Sequence, residues 1–173
     1  MMPLDRLIAA MPKVELHVHL EGSIRPETLL ELARRHRARL PASTLDELRA
    51  WYSFRDFDHF IEIYGHMSGC IRSIEDIEFV AREFLSGQAA QGILYSEVIY
   101  TPFTHYRTKG LAFREQLAAL NRARAWAEAE LGVSVRLVLD FARKASIEEA
   151  RTVADWQCRS RLSLDSIKFR APA

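Results

Sequence analysis

Two histidines and two glutamates alternate with apolar residues in one short run, Val14-Glu15-Leu16-His17-Val18-His19-Leu20-Glu21-Gly22. Imidazoles and carboxylates are the side chains that bind divalent metals and move protons near neutral pH. A β-strand has a period of two. The spacing therefore predicts a strand over 13–20 with Val14, Leu16, Val18 and Leu20 packed against helices and Glu15, His17, His19 and Glu21 on the opposite face. His-x-His on a strand places both imidazoles on one side, roughly 6–7 Å apart at Cα. They can then converge on one cation at about 2.0–2.1 Å per Zn–N bond. The pattern also fits an amphipathic surface strand with two solvated histidines, and imidazole ligands alone suit iron, nickel or copper as well as zinc.

The elements that must hold these groups follow from the flanking sequence. Glu21-Gly22-Ser23 ends the strand, and a helix is predicted over about 25–38, with Ser23 as a cap and Pro26 in the first turn. Strand, tight turn and helix, with histidines near the C-terminal end of the strand, is the arrangement that carries active sites in α/β barrels. Further along, strands are predicted over 93–100 and 133–141. Helices are predicted over 4–10, 44–50, 73–91 and 111–131, and another begins at Ser146, a cap with Glu149 three residues on. Phe57, Phe60, Ile61 and Tyr64 recur at i, i+3, i+4 and i+7, which reads as the core-facing side of a helix. His59 and His66 read as surface histidines. Strand–helix alternation implies a parallel sheet with right-handed crossovers. Glu97 and Asp140 fall at or near strand ends, either facing the site or serving as supporting or capping carboxylates.

The chain has 173 residues, 49% hydrophobic and 27% charged, with a net charge of +1. These values describe an ordinary globular protein and give no reason to invoke nucleic acid or a membrane surface. The basic cluster of Arg34, Arg35, Arg37 and Arg39 around His36 suits the solvated C-terminal end of a helix. Two cysteines, Cys70 and Cys158, make no disulfide framework, and with no secretory signal a cytoplasmic location is expected. No apolar run approaches the ~20 residues of a membrane span.

The run from Lys13 to Leu29, including Glu15-Leu16-His17-Val18-His19-Leu20-Glu21-Gly22-Ser23 and Arg25-Pro26-Glu27-Thr28, resembles the first strand of the adenosine deaminase family of metal-dependent hydrolases. The resemblance implies the N-terminal part of a TIM (β/α)8 barrel, of the α/β class, and a zinc-dependent hydrolytic deamination of a purine that releases ammonia. It implies that His17 and His19 are Zn2+ ligands. It also implies that Glu21 and Gly22, with Phe57, Phe60 and Tyr64 beside the mouth, meet a small-molecule purine. Glu21 stands where adenosine enzymes often carry aspartate to contact the ribose, which points toward adenine or other aminated purines. The segment Glu97-Val98-Ile99-Tyr100-Thr101-Pro102 matches the family's second-strand motif, with Tyr100 where many members carry arginine.

The family's third zinc histidine, metal-binding aspartate, catalytic glutamate and second catalytic histidine have no counterpart here, and His36, His59, His66 and His105 stand in no matching motif. A complete barrel runs to about 250 residues. Residues 1–155 therefore read as a partial deaminase barrel. Residues 156–173, with neither helical nor strand periodicity, read as an anomalous tail from a truncated or frameshifted gene. The expected chain is inactive alone. The alternative is a non-catalytic remnant that binds metal weakly or self-associates through open sheet edges.

Overall fold

The computed structural model describes residues 3–160. Three parallel strands form one sheet in the order β1 (Lys13–His19), β2 (Ile93–Tyr100), β3 (Ser134–Leu139). Between and around them lie α1 (Leu4–Ala10), α2 (Pro26–His36), α3 (Leu45–Trp51), α4 (Phe57–Cys70), α5 (Ile74–Ala90), α6 (Pro102–Lys109), α7 (Phe113–Leu131) and α8 (Ile147–Arg159). No helix of the described residues is long and apolar enough to cross a membrane. Cys70 and Cys158 are both free.

Local chemistry sets the helix ends. Thr44 with Glu47, Ser73 with Asp76 and Ser146 with Glu149 each form a capping box that satisfies two backbone donors reciprocally. Pro26 opens α2 where a missing N–H costs nothing. Ser23 does not cap that helix, because its hydroxyl donates to the Leu20 carbonyl one turn earlier and Arg25 takes the cap position. After α5 the chain turns at Gly92 with φ +71, where an added Cβ would also lie 3.3 Å from Lys13 Nζ.

The core lies between the sheet and the α5–α7 pair. Ile77, Val80, Ala81, Phe84 and Leu85 of α5 meet Ala119, Leu120, Ala123 and Ala127 of α7. Alanine at every fourth position of α7 lets the two helices approach closely. Across the rim of this contact Glu78 of α5 accepts from Arg122 of α7 at 2.7 Å and from Arg82 at 3.0 Å. Cross-strand neighbours share a face, so the register puts Ser96, Val98 and Tyr100 with Val135, Leu137 and Leu139 toward the helices. Tyr95, Glu97 and Ile99 lie on the opposite face with Ser134, Arg136 and Val138.

The strict alternation expected of β1 breaks in its middle. Val14 pairs with Tyr95 and Glu15 with Ser96, whereas Val18 pairs with Val98 and His19 with Ile99. Leu16 and His17 thus stand opposite the single residue Glu97, which is a β-bulge. His17 takes φ +62 to make it. As a result Glu15 lies on the helix-facing side, away from His19. Val14 and Leu16 are 66% and 57% exposed and do not pack against helices; only Val18 and Leu20 of the four apolar residues do.

Other expectations are corrected too. The face of α4 that packs inward is His59, Ile63, Met67 and Cys70, while Phe57 is 72% exposed and Phe60 and Ile61 are also exposed. His59 is accordingly buried, not a surface residue; its Nδ1 accepts from the Arg55 N–H at 3.3 Å. Residues 102–109 form a helix directly after β2, which the sequence reading did not assign. Helix α8 runs to Arg159, so the segment from 156 starts as regular helix; residues 161–173 lie outside the described residues.

Glu78 gives a test of the α5–α7 contact. Burial raises its pKa, but hydrogen bonds from Arg122 and Arg82 outweigh that and hold it below its ordinary value of 4.5. A carboxyl with a lowered folded-state pKa contributes stability that is present above the unfolded value and lost as pH falls through the folded one. Thermal melts of wild type and Glu78→Gln are expected to differ at pH 7 and to converge as pH drops below 4.5.

Candidate active site at the strand ends

The carboxyl ends of all three strands meet in one cluster, where parallel α/β sheets place their sites. His17 and His19 lie with ring centroids 5.7 Å apart and planes at 69°. The bulge re-aims His17, and its left-handed backbone is the kind of strain that persists at functional sites at a cost of order 1–3 kcal/mol. Tyr64 of α4 meets His19 edge-on at 6.4 Å. Phe60 follows at 6.3 Å from Tyr64 and Phe57 at 6.1 Å from Phe60. A line of aromatic rings therefore leads from the exposed end of α4 to the histidines. Gly22 lies beneath Tyr64, where a Cβ would come 3.1 Å from the ring.

Behind the histidines the turn after β1 is locked to the turn after β2. Glu21 is 1% exposed. Its Oε1 accepts from the Thr101 N–H at 3.1 Å and lies 3.3 Å from Nε2 of the fully buried His105, while Oε2 has no hydrogen-bond partner. His105 stacks on Tyr100 at 5.6 Å and 13°. The Tyr100 hydroxyl donates to Gln116 Oε1 at 2.7 Å, and Gln116 donates to the Leu111 carbonyl. Thr101 also donates through its hydroxyl to Asp140 Oδ1 at 2.6 Å, and Asp140 Oδ2 lies 3.9 Å from His19 Nδ1. Burial, then the nearby Glu21 charge, pushes the Tyr64 phenol far above its ordinary value, so it stays protonated and can donate.

The structure brings His17, His19, Glu21, Gly22 and Tyr64 together, with Phe60 and Phe57 trailing outward. It brings Asp140 to the same cluster. Glu97 sits opposite the bulge and accepts from the Tyr95 hydroxyl at 3.0 Å. The other histidines lie elsewhere: His36 against Asp76 at 2.5 Å and His66 on Trp51 at 5.3 Å. No three His, Cys, Asp or Glu residues among the described ones converge on a metal position. Sequence reasoning gave Thr101 no role of its own, set His105 aside as standing in no matching motif and did not single out Gln116. Pro102 was the available signal, since proline after a strand opens a helix and turns the residue three later back toward the strand end.

The family model described as adenosine deaminase matches residues 12–165. The chain belongs to the adenosine deaminase family. Among relatives, the adenine deaminase of Rhodospirillum rubrum is 41% identical over 141 residues, which is 82% of this chain and 42% of that protein. The adenine deaminase of Geotalea uraniireducens is 38% identical over 147 residues, 85% of this chain and 41% of that protein. The crystal structure of an adenine deaminase from Arthrobacter aurescens superposes with a TM-score of 0.77 at 30% identity, covering 88% of this chain and 46% of the other. An amidohydrolase from Burkholderia ambifaria with bound zinc superposes at 0.76 and 26% identity, covering 90% and 43%. The chain thus spans less than half the length of the relatives it matches, and its three strands are the N-terminal portion of a (β/α)8 barrel.

His17→Gly and His17→Ala both remove the imidazole, but only glycine adopts φ +62 without a steric cost. In urea denaturation the glycine variant is expected to be the more stable of the two by roughly 1 kcal/mol. Equal stabilities would mean that the bulge carries no strain at this residue. Removing the buried carboxylate with Glu21→Ala strands the Thr101 N–H and His105 and is expected to destabilise by about 1–3 kcal/mol in the same assay.

Proposed function

We propose that the chain provides the first-strand metal ligands and part of the purine pocket of a zinc-dependent hydrolytic deaminase. The observation that carries this reading is the pairing of His17 and His19 at the barrel's carboxyl end, at the foot of the aromatic line from α4. The donor set fits zinc, which takes imidazole nitrogen readily, and supplies two of the three protein ligands usual in a catalytic site. Bound zinc would lower the pKa of a water toward ~7 and so furnish a hydroxide at neutral pH. Around it, this chain's residues bind and orient. Tyr64, Phe60 and Phe57 offer faces on which a planar purine can stack. The Tyr64 hydroxyl donates a hydrogen bond, and Gly22 leaves the room that ring needs. Glu21 supports the floor by fixing the two strand-end turns. An adenine-type base fits better than a nucleoside, because glutamate stands where adenosine enzymes often carry aspartate and the Rhodospirillum, Geotalea and Arthrobacter relatives are adenine deaminases.

A second reading, self-association, is favoured by the sheet itself. Val14, Leu16, Leu94, Val138 and Phe141 are exposed on or beside it, and β1 and β3 each have one unpaired edge among the described residues. Sedimentation of the chain separates the two readings, since a stable monomer excludes assembly through these edges.

Zinc titration of the purified chain is expected to show one site, weakened at least tenfold by His17→Ala or His19→Ala; unchanged affinity in both variants would sink the reading. With two imidazoles as the ligand set, the 173-residue chain alone is expected to release no ammonia from adenine above a zinc-only blank. Zinc-dependent release would mean that these residues complete a catalytic site by themselves.

A further inference from the structure

We propose that Asp140 is a positioning residue for His19, holding the proton on Nδ1 so that Nε2 presents its lone pair to the metal. This rests on the reading of His19 as a ligand. A metal-bound imidazole works best when its other ring nitrogen donates to a carboxylate, which fixes both tautomer and ring direction. Asp140 is the carboxylate placed to accept. It follows β3 directly, its N–H donates to the Tyr100 carbonyl at 3.1 Å, and its Oδ1 is held by the Thr101 hydroxyl at 2.6 Å. With one oxygen anchored, the other stands 3.9 Å from His19 Nδ1, within ion-pair reach though longer than a hydrogen bond.

The anchoring continues backward. Thr101 is itself fixed, because its N–H donates to the buried Glu21. A path of hydrogen bonds therefore runs from the turn after β1, through the end of β2, to the carboxylate after β3, whose free oxygen stands 3.9 Å from His19 of β1. Both His19 and Asp140 are more than a third exposed, so the pair contributes little to stability as an ion pair. Its effect is on orientation. Asp140 Oδ1 is engaged by Thr101, and no three His, Cys, Asp or Glu donors converge among the described residues.

The test uses the full chain, wild type and the variants Asp140→Ala, Asp140→Asn and Thr101→Val. Zinc affinity is expected to fall 10–100-fold in Asp140→Ala, and by less in the isosteric Asp140→Asn, whose amide oxygen can still accept from Nδ1–H. Thr101→Val, which leaves both partners in place but frees the carboxylate, is expected to give a partial loss. The second readout is the tautomer of His19 in the metal-free chain, from two-bond 15N–1H correlation spectra. Wild type is expected to carry Nδ1–H and Asp140→Ala to shift toward Nε2–H. Affinity within twofold of wild type in both Asp140 variants, with an unchanged tautomer, overturns the proposal. A wild-type chain that carries Nδ1–H, with the shift to Nε2–H in Asp140→Ala, but binds no zinc refutes the metal reading while supporting the hold of Asp140 on the His19 ring.

Discussion

Everything at the carboxyl end of this sheet depends on where Thr101 sits. Its backbone N–H is tied to Glu21 and its hydroxyl to Asp140. One residue therefore sets the distance between three strand ends. The tie holds because Glu21 is sealed from water, where a hydrogen bond to a carboxylate is not diluted by competing solvent. Burying a carboxylate is costly unless it is partnered, and the Thr101 N–H and the His105 ring supply that partnership. His105 is placed in turn by stacking on Tyr100 and Tyr100 by Gln116, so α6 and α7 both bear on the position of a side chain just past β1.

The layout separates rigidity from access. The helix-facing side of the sheet is filled by α5 and α7, whose alanine-lined contact leaves little freedom. The histidines sit at the rim of that rigid block. The aromatic line on α4 lies on a helix whose inner face is anchored by Ile63, Met67 and Cys70, so its outer residues are held in place without being buried.

Much of this was legible in the sequence. The strand–turn–helix around His17 and His19, the parallel alternation and the Ser146–Glu149 capping box follow from short-range chemistry, and the apolar face of α5 is as its periodicity indicates. What was not legible depends on pairing at a distance. The bulge at Leu16–His17 exists because β1 must match one residue of β2 with two of its own, and no pattern within β1 reveals that. The face of α4 was misassigned because Phe57, Phe60 and Ile61 recur at helical spacing yet stay exposed, while the true inner face includes His59, a residue type that hydrophobic periodicity discounts. Glu21 reads as one more polar group on the histidine face until Thr101 and His105, 80 and 84 positions later, are seen to hold it in a buried position.

Those separations bear on when the site comes into being. The hydrogen bonds that define it join residues 80, 84 and 39 positions apart, whereas the helices close over three or four. Loop closure on that scale must be met before such contacts give anything back. In an unfolded or partly folded chain His17 and His19 are an ordinary flexible pair; they become a directed pair only after β1, β2 and β3 have found one another. Geometry at the histidines is thus a late-appearing property of the fold, and a metal ion that prefers it would bind the finished sheet over every intermediate, drawing the chain toward its native state.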